Sequence, residues 1–191
     1  MVQDNPDALY SPQISQSCTE MLTSRGFTQG SKRVIVIGSA GCGKSALIQR
    51  YINNTFQTEY RQTFGADLYV KNTNEHKKYS MQIWCCGGHE RYRTLLDQFY
   101  VDINVALVCF DLQNPDSFKE VEFWYNELKR AAPDALVTLV GTKAEDMDNT
   151  AVKIQDAMKV AKDWNMDFKA VSSKTGLNIE ELFSQVVSKF D

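Results

Sequence analysis

The chain has 191 residues, 43% of them hydrophobic, and its 21 basic against 24 acidic residues leave a net charge of -3. That length suits one domain with a substantial core, and the charge excludes the basic footprint of a nucleic-acid binder. Apolar runs such as VALVCF, 105–110, stop far short of the roughly 18 residues a membrane-spanning helix needs, so no transmembrane segment is expected.

Residues 1–31 are polar and irregular, and read as a flexible N-terminal extension. They hold no basic or apolar leader, and Val2 stands where myristoylation requires glycine. Five cysteines at irregular spacing argue against a secreted disulfide framework and for a cytoplasmic protein with reduced thiols.

Regularity begins with RVIVIG, 33–38, a β-branched strand that leads through glycines into KSALIQRYINN, 44–54, where Leu47, Ile48, Tyr51 and Ile52 fall at helical spacing. DLYVK, 67–71, and KYSMQIW, 78–84, joined by the polar NTNEHK, read as a hairpin. VALVCF is then a buried strand, FKEVEFWYNELKRAA, 118–132, an amphipathic helix closed by Pro133, and ALVTLVG, 135–141, another strand. AVKIQDAMKVAKDW, 151–164, is a helix, DFKAV, 167–171, a short strand, and IEELFSQVVSKF, 179–190, a closing helix. Strands alternating with helices predict an α/β fold: a mostly parallel sheet covered on both faces, with one antiparallel strand from the hairpin.

GSAGCGKS, Gly38 to Ser45, has the spacing of a phosphate loop between strand and helix. Its glycines let backbone N–H groups converge on phosphates, Lys44 reaches the β and γ phosphates, and Ser45 offers an oxygen to Mg²⁺. By itself the loop leaves nucleoside kinases, ATPases and GTPases open.

Further segments narrow the choice. YINNTFQTEYRQTFGADL, 51–68, WCCGGHERYRTL, 84–95, FDLQNPDSF with Trp124, VGTKAE, 140–145, and VSSK, 171–174, follow the loop in order. Together they resemble a Ras-superfamily small GTPase, closest to the Rab branch, over a G domain at 32–191. The resemblance implies a six-stranded sheet with about five helices, GTP or GDP and Mg²⁺ along its carboxyl edge, and two switch loops that order around the γ phosphate. Exchange factors, activating proteins and effectors in vesicle trafficking are the implied partners.

Carried over by position, Ala40, Gly41, Cys42, Gly43, Lys44, Ser45 and Ala46 surround the phosphates, Phe56 packs against the guanine, and Ser45 and Thr63 ligate Mg²⁺. Gly88 donates its N–H to the γ phosphate. Thr142, Lys143, Glu145, Ser172, Ser173 and Lys174 form the base site, the two lysines laying their stems along the base and Ser173 donating from its backbone to the guanine O6. Lys44, Thr63 and His89 stand at the hydrolytic step.

The departures carry as much information. Thr142 replaces the family's usual asparagine and Glu145 its aspartate, with Asp146 a second candidate carboxylate. A carboxylate there accepts from guanine N1–H and the 2-amino group, which adenine cannot offer, so guanine stays favoured at reduced affinity. Cys85 replaces the aspartate that holds Mg²⁺ through water, and a neutral thiol is a poor partner for a hard cation. His89 replaces the glutamine that orients the attacking water, which predicts slow hydrolysis unless an activating protein supplies the missing groups. Two readings follow: a weak GTPase switch, or a pseudo-GTPase that binds partners with little or no hydrolysis.

The thiols themselves admit three readings. Cys85 and Cys86 lack the spacing of zinc ligands, and neither His76 nor His89 completes a site. A redox role would use a Cys42 thiol with its pKa lowered by Lys44, paired with Cys85 or Cys18, or a bond between Cys85 and Cys86. The third reading, small apolar residues filling space, is favoured, and Cys109 is expected to be core. The terminal SKFD carries no prenylation cysteine, so no direct lipid anchor is expected in this chain.

Overall fold

Val34 and Val36 pack into one core and Ile35 and Ile37 into another, all four fully buried, so the first strand lies in the interior of a sheet covered on both faces. The computed structural model describes residues 31–73 and 79–190. The N-terminal extension, with Cys18, and the turn residues 74–78, with His76, lie outside the described residues.

Six strands run β1 (Ser31–Gly38), β2 (Ala66–Thr73), β3 (Tyr79–Cys86), β4 (Val105–Asp111), β5 (Leu136–Thr142) and β6 (Asp167–Ala170). Their order across the sheet is β2-β3-β1-β4-β5-β6. Only the β2–β3 pair is antiparallel, as the hairpin pattern predicts. The helices are α1 (Lys44–Asn53), α2 (Pro115–Lys119), α3 (Val121–Ala131), α4 (Ile154–Asp163) and α5 (Ile179–Ser188). On one face α1 and α5 pack through Leu47, Ile48, Tyr51, Leu182 and Phe183, with the Tyr51 and Phe183 rings stacked at 3.7 Å. The opposite face is covered by α3 and α4 around Trp124, Leu128, Ala157 and Ala161.

The strand order reverses at β1, so the loops after β1 and β3 splay apart there and open a crevice at the carboxyl edge. The loops leaving β4, β5 and β6 reach the same edge.

Two elements differ from the sequence reading. The helix expected at 118–132 is split: Asn114 caps α2 by accepting from the Asp116 N–H at 3.0 Å, Pro115 opens it, and Glu120 separates it from α3. Glu120 is held from outside, accepting from Ser39 Oγ at 2.7 Å and Arg93 Nη2 at 3.0 Å. The second difference is a 3-10 segment at Glu90–Phe99, where the sequence suggested no element. Ten residues are long for that tighter winding, which usually serves as a short connector.

Candidate functional site

Gly41 and Gly43 both have positive φ, 75° and 89°, which turns the chain tightly enough to bring it from β1 into α1. Among the described residues the N–H groups of Gly41, Gly43 and Ser45 make no hydrogen bond, and α1 has no side-chain N-cap. The result is a concave nest of donors at a helix N-terminus, suited to phosphate. Lys44 folds over it, its Nζ donating to Gly38 O and Ser39 O, each at 2.8 Å.

Beside the nest, Ser45 Oγ and Thr63 Oγ1 are 3.0 Å apart. The cis edge of a Mg²⁺ octahedron with bonds of about 2.0–2.1 Å is about 2.9 Å, so this hydroxyl pair has the spacing of two adjacent ligands. Cys85 Sγ touches the same Ser45 hydroxyl at 3.4 Å. Gly88 lies against the phosphate loop so closely that a Cβ there would collide with the Gly38 carbonyl and the Ser39–Ala40 backbone, a position open to glycine alone. The Gly87 N–H donates to Gly65 O at 2.7 Å and ties the segment before Gly88 to the segment after Thr63.

One cavity gathers Ala40, Gly41, Gly43, Lys44, Ser45, Ala46, Phe56, Thr63, Gly88, His89 and Lys143. Cys42 and Thr142 are buried behind it, and Glu145, Ser172, Ser173 and Lys174 stand outside its walls on the neighbouring loops. The Thr142 hydroxyl lies 2.6 Å from Cys42 O and 2.9 Å from Phe110 O, strapping the phosphate loop to the loop after β5. Lys143 takes a left-handed backbone, φ 59°, and its Nζ pairs with Asp111 Oδ2 at 2.6 Å. Ser172 Oγ donates to Glu145 Oε2 at 2.9 Å, so Glu145 is oriented by the loop after β6. Asp146, the second candidate carboxylate, is exposed and accepts from Asn149 at 2.9 Å.

The sequence model of the Ras family matches residues 33–191. The chain belongs to the Ras family. It is 32% identical over 160 residues to the Ras-related protein Rab-26 of Bos taurus, covering 82% of this chain and 62% of that relative. It is therefore a Rab-like member of the superfamily, with the six-stranded small G-domain fold that its motifs imply.

Within this G domain, the thiols resolve. Cys85 packs in the core under α1 and α5, whereas Cys86 packs in the opposite core, because adjacent strand residues point to opposite faces. The four described cysteines, Cys42, Cys85, Cys86 and Cys109, are all buried and unbridged. The lowered thiol pKa expected at Cys42 is a miss: burial raises it, and Lys44 pulls it only partly back. Burial likewise pushes Cys85 up to about 11, against a weaker pull from its Ser45 contact. A raised thiol pKa disfavours the thiolate that a redox site at Cys42 or Cys85 would use, and Cys18 lies outside the described residues. Among the described residues no cluster of three His, Cys, Asp or Glu side chains is arranged for a metal.

Two side chains at this edge escaped the sequence reading. Arg50 on α1 donates to Ser173 O and Lys174 O, each at 2.6 Å, bracing the loop after β6. Asp67, the first polar residue of β2, lies directly opposite Cys85 in the β2–β3 register. Asp67 is exposed, and partial desolvation raises its carboxyl from the ordinary value, with the neighbouring Thr63 opposing the rise. Arg50 sits in no motif, and Asp67, although inside the 51–68 segment, carries no assigned role there; both stand out only once strand register and loop closure are known.

Proposed function

We propose that this chain is a nucleotide-dependent switch that holds GTP or GDP with Mg²⁺ and hydrolyses GTP slowly by itself. The observation that carries this reading is the Ser45–Thr63 hydroxyl pair, 3.0 Å apart, beside the Lys44 nest and with a thiol rather than a carboxylate at Cys85. The donor set fits Mg²⁺: two neutral oxygens correctly spaced, with phosphate oxygens to complete the charge. When bound, Mg²⁺ neutralises charge on the β and γ phosphates.

In this reading the N–H groups of Gly41, Gly43 and Ser45 and the Lys44 ammonium hold the phosphates, and Gly88 presents its N–H to the γ phosphate. Phe56 and the stems of Lys143 and Lys174 flank the base. Glu145 accepts from guanine N1–H and the 2-amino group, and the Ser173 N–H, which makes no hydrogen bond among the described residues, donates to O6. His89 lines the cavity, and its rigid imidazole, with one donor and one acceptor on the ring, does not reproduce the geometry by which an amide orients the attacking water. Loss of the γ phosphate releases Thr63 and Gly88, and with them the two segments joined at Gly65 and Gly87.

Effectors that recognise the ordered switch segments, exchange factors, and activating proteins are the partners this reading implies, in vesicle trafficking at membranes to which a cytoplasmic protein is recruited. The chain spans about 62% of the length of the Rab-26 relative, and no helix among its described residues is long and apolar enough to cross a membrane.

The neutral Cys85 thiol and the His89 imidazole favour a second reading, a pseudo-GTPase whose nucleotide is structural. Single-turnover GTP hydrolysis, measured beside GDP and GTP affinities with and without Mg²⁺, separates the two. A slow but measurable burst of phosphate supports the switch; tight nucleotide with no phosphate over many hours supports the pseudo-enzyme; absence of nucleotide binding sinks both.

A further inference from the structure

The loss of a carboxylate at Cys85 leaves the metal position without an anion from β3. Antiparallel partners place their side chains on the same face of the sheet, with Cβ atoms about 4.5–5.5 Å apart. Asp67 is the partner of Cys85, one strand over on β2, and therefore starts from the same face and level of the crevice. Asp67 also lies near Thr63, four residues earlier in the chain, whose hydroxyl is 3.0 Å from Ser45 Oγ. Ser45 in turn contacts Cys85 Sγ at 3.4 Å. Asp67, Thr63, Ser45 and Cys85 are thus gathered on one side of the crevice. Asp67 forms no ion pair with a lysine or arginine among the described residues, although Lys71 and Arg61 are near it in sequence.

From this geometry we infer that Asp67 is the anionic brace of the metal site in this protein, supplying from β2, through a water molecule, the charge that Cys85 cannot supply from β3. The inference rests on the reading of the crevice as a Mg²⁺–nucleotide site. It assigns Asp67 a positioning role: the carboxylate accepts from a water whose oxygen faces the cation. A direct bond is not required. A hard cation bound by neutral hydroxyls gains from a fixed carboxylate one water away.

The test is a Mg²⁺ titration of the release rate of fluorescent GDP, run on wild type, Asp67→Asn, Cys85→Asp and the double variant. In wild type, release slows as Mg²⁺ rises, and the midpoint reports metal affinity. Asp67→Asn raises that midpoint about tenfold, as expected for loss of one charged hydrogen bond. In the Cys85→Asp background, where a carboxylate is restored on β3, the same change shifts it by less than about threefold. Asp67→Ser serves as a second charge-removing variant in case the amide disturbs β2.

A wild-type midpoint left unmoved by both Asp67 variants overturns the role of Asp67 alone. Equal shifts in the two backgrounds also overturn it, since Asp67 would then act independently of the missing carboxylate. Wild-type release that is indifferent to Mg²⁺ overturns the metal–nucleotide reading itself.

Discussion

The two sides of the crevice have diverged in different ways from the pattern the motifs resemble. On the side proposed for the base, the two replacements are held in place: Thr142 straps the phosphate loop through Cys42 O, and Ser172 anchors Glu145. On the metal side the replacements change the chemistry, from carboxylate to a buried thiol at Cys85 and from amide to imidazole at His89. In the proposed reading, holding a nucleotide and reacting with it depend on separable groups, and the replacements fall more heavily on the second set.

The largest effect should come from the shared centre. Lys44→Ala removes the one ammonium over the nest, and with it two charge-assisted contacts to phosphate worth about 3 kcal/mol together, a loss of about a hundredfold in GDP affinity by displacement titration. A change below about threefold would mean that phosphate is held by the N–H nest alone, and the two sides would no longer share an anchor.

Next in size is Cys85→Asp. Restoring a carboxylate beside Ser45 should slow GDP release in saturating Mg²⁺ by about tenfold while leaving release in excess chelator unchanged. An equal effect in chelator would show that the substitution stiffens the fold rather than the metal site. His89→Gln tests the water-aiming half of the comparison. Single-turnover hydrolysis should rise about tenfold, or 1.4 kcal/mol of barrier, with GTP affinity unchanged. A flat response would place the limitation at Cys85 and join what the comparison separates.

The legible part of the fold is the part governed by local pattern. The continuous β-branched run marks β1 as a strand buried on both faces, and the phosphate-loop spacing marks Lys44 and Ser45. What escaped was set by contacts distant in the chain. The helix break at Glu120 depends on Ser39 and Arg93, and the bracing of the Ser173 and Lys174 carbonyls comes from Arg50 on α1. The direction of the Cys42 pKa shift failed for a related reason. Lys44 is visible as a neighbour two residues away, whereas the full burial that outweighs it is assembled from β4 and the loop after β5. That shift has a direct readout. The buried Cys42, Cys85, Cys86 and Cys109 should alkylate in the native protein at pH 8 at least about a hundred times more slowly than in denaturant, as followed peptide by peptide in a mass spectrometer. The sign follows from the raised pKa values, which keep the thiols protonated as pH rises through the ordinary thiol range; fast native labelling of Cys42 would restore the redox reading.

Glu145→Asp gives the smallest and most discriminating change. The extra methylene of glutamate displaces its carboxylate by about one bond length, which for an ideally placed charged hydrogen bond costs on the order of 1–3 kcal/mol. Two features of the structure reduce that figure here. Glu145 is exposed, so water competes for the contact, and Ser172 Oγ fixes one carboxylate oxygen at 2.9 Å, so the longer side chain is held in place rather than left to search. Shortening it to aspartate should therefore tighten GDP by only about threefold, with ATP remaining a poor competitor in both proteins. A gain of about a hundredfold would show that the base side is as compromised as the metal side and erase the contrast between them. Weaker binding by aspartate would sharpen the contrast instead, because the loop after β6 would then have readjusted to glutamate and Ser172 would be the residue that made the longer carboxylate the better fit.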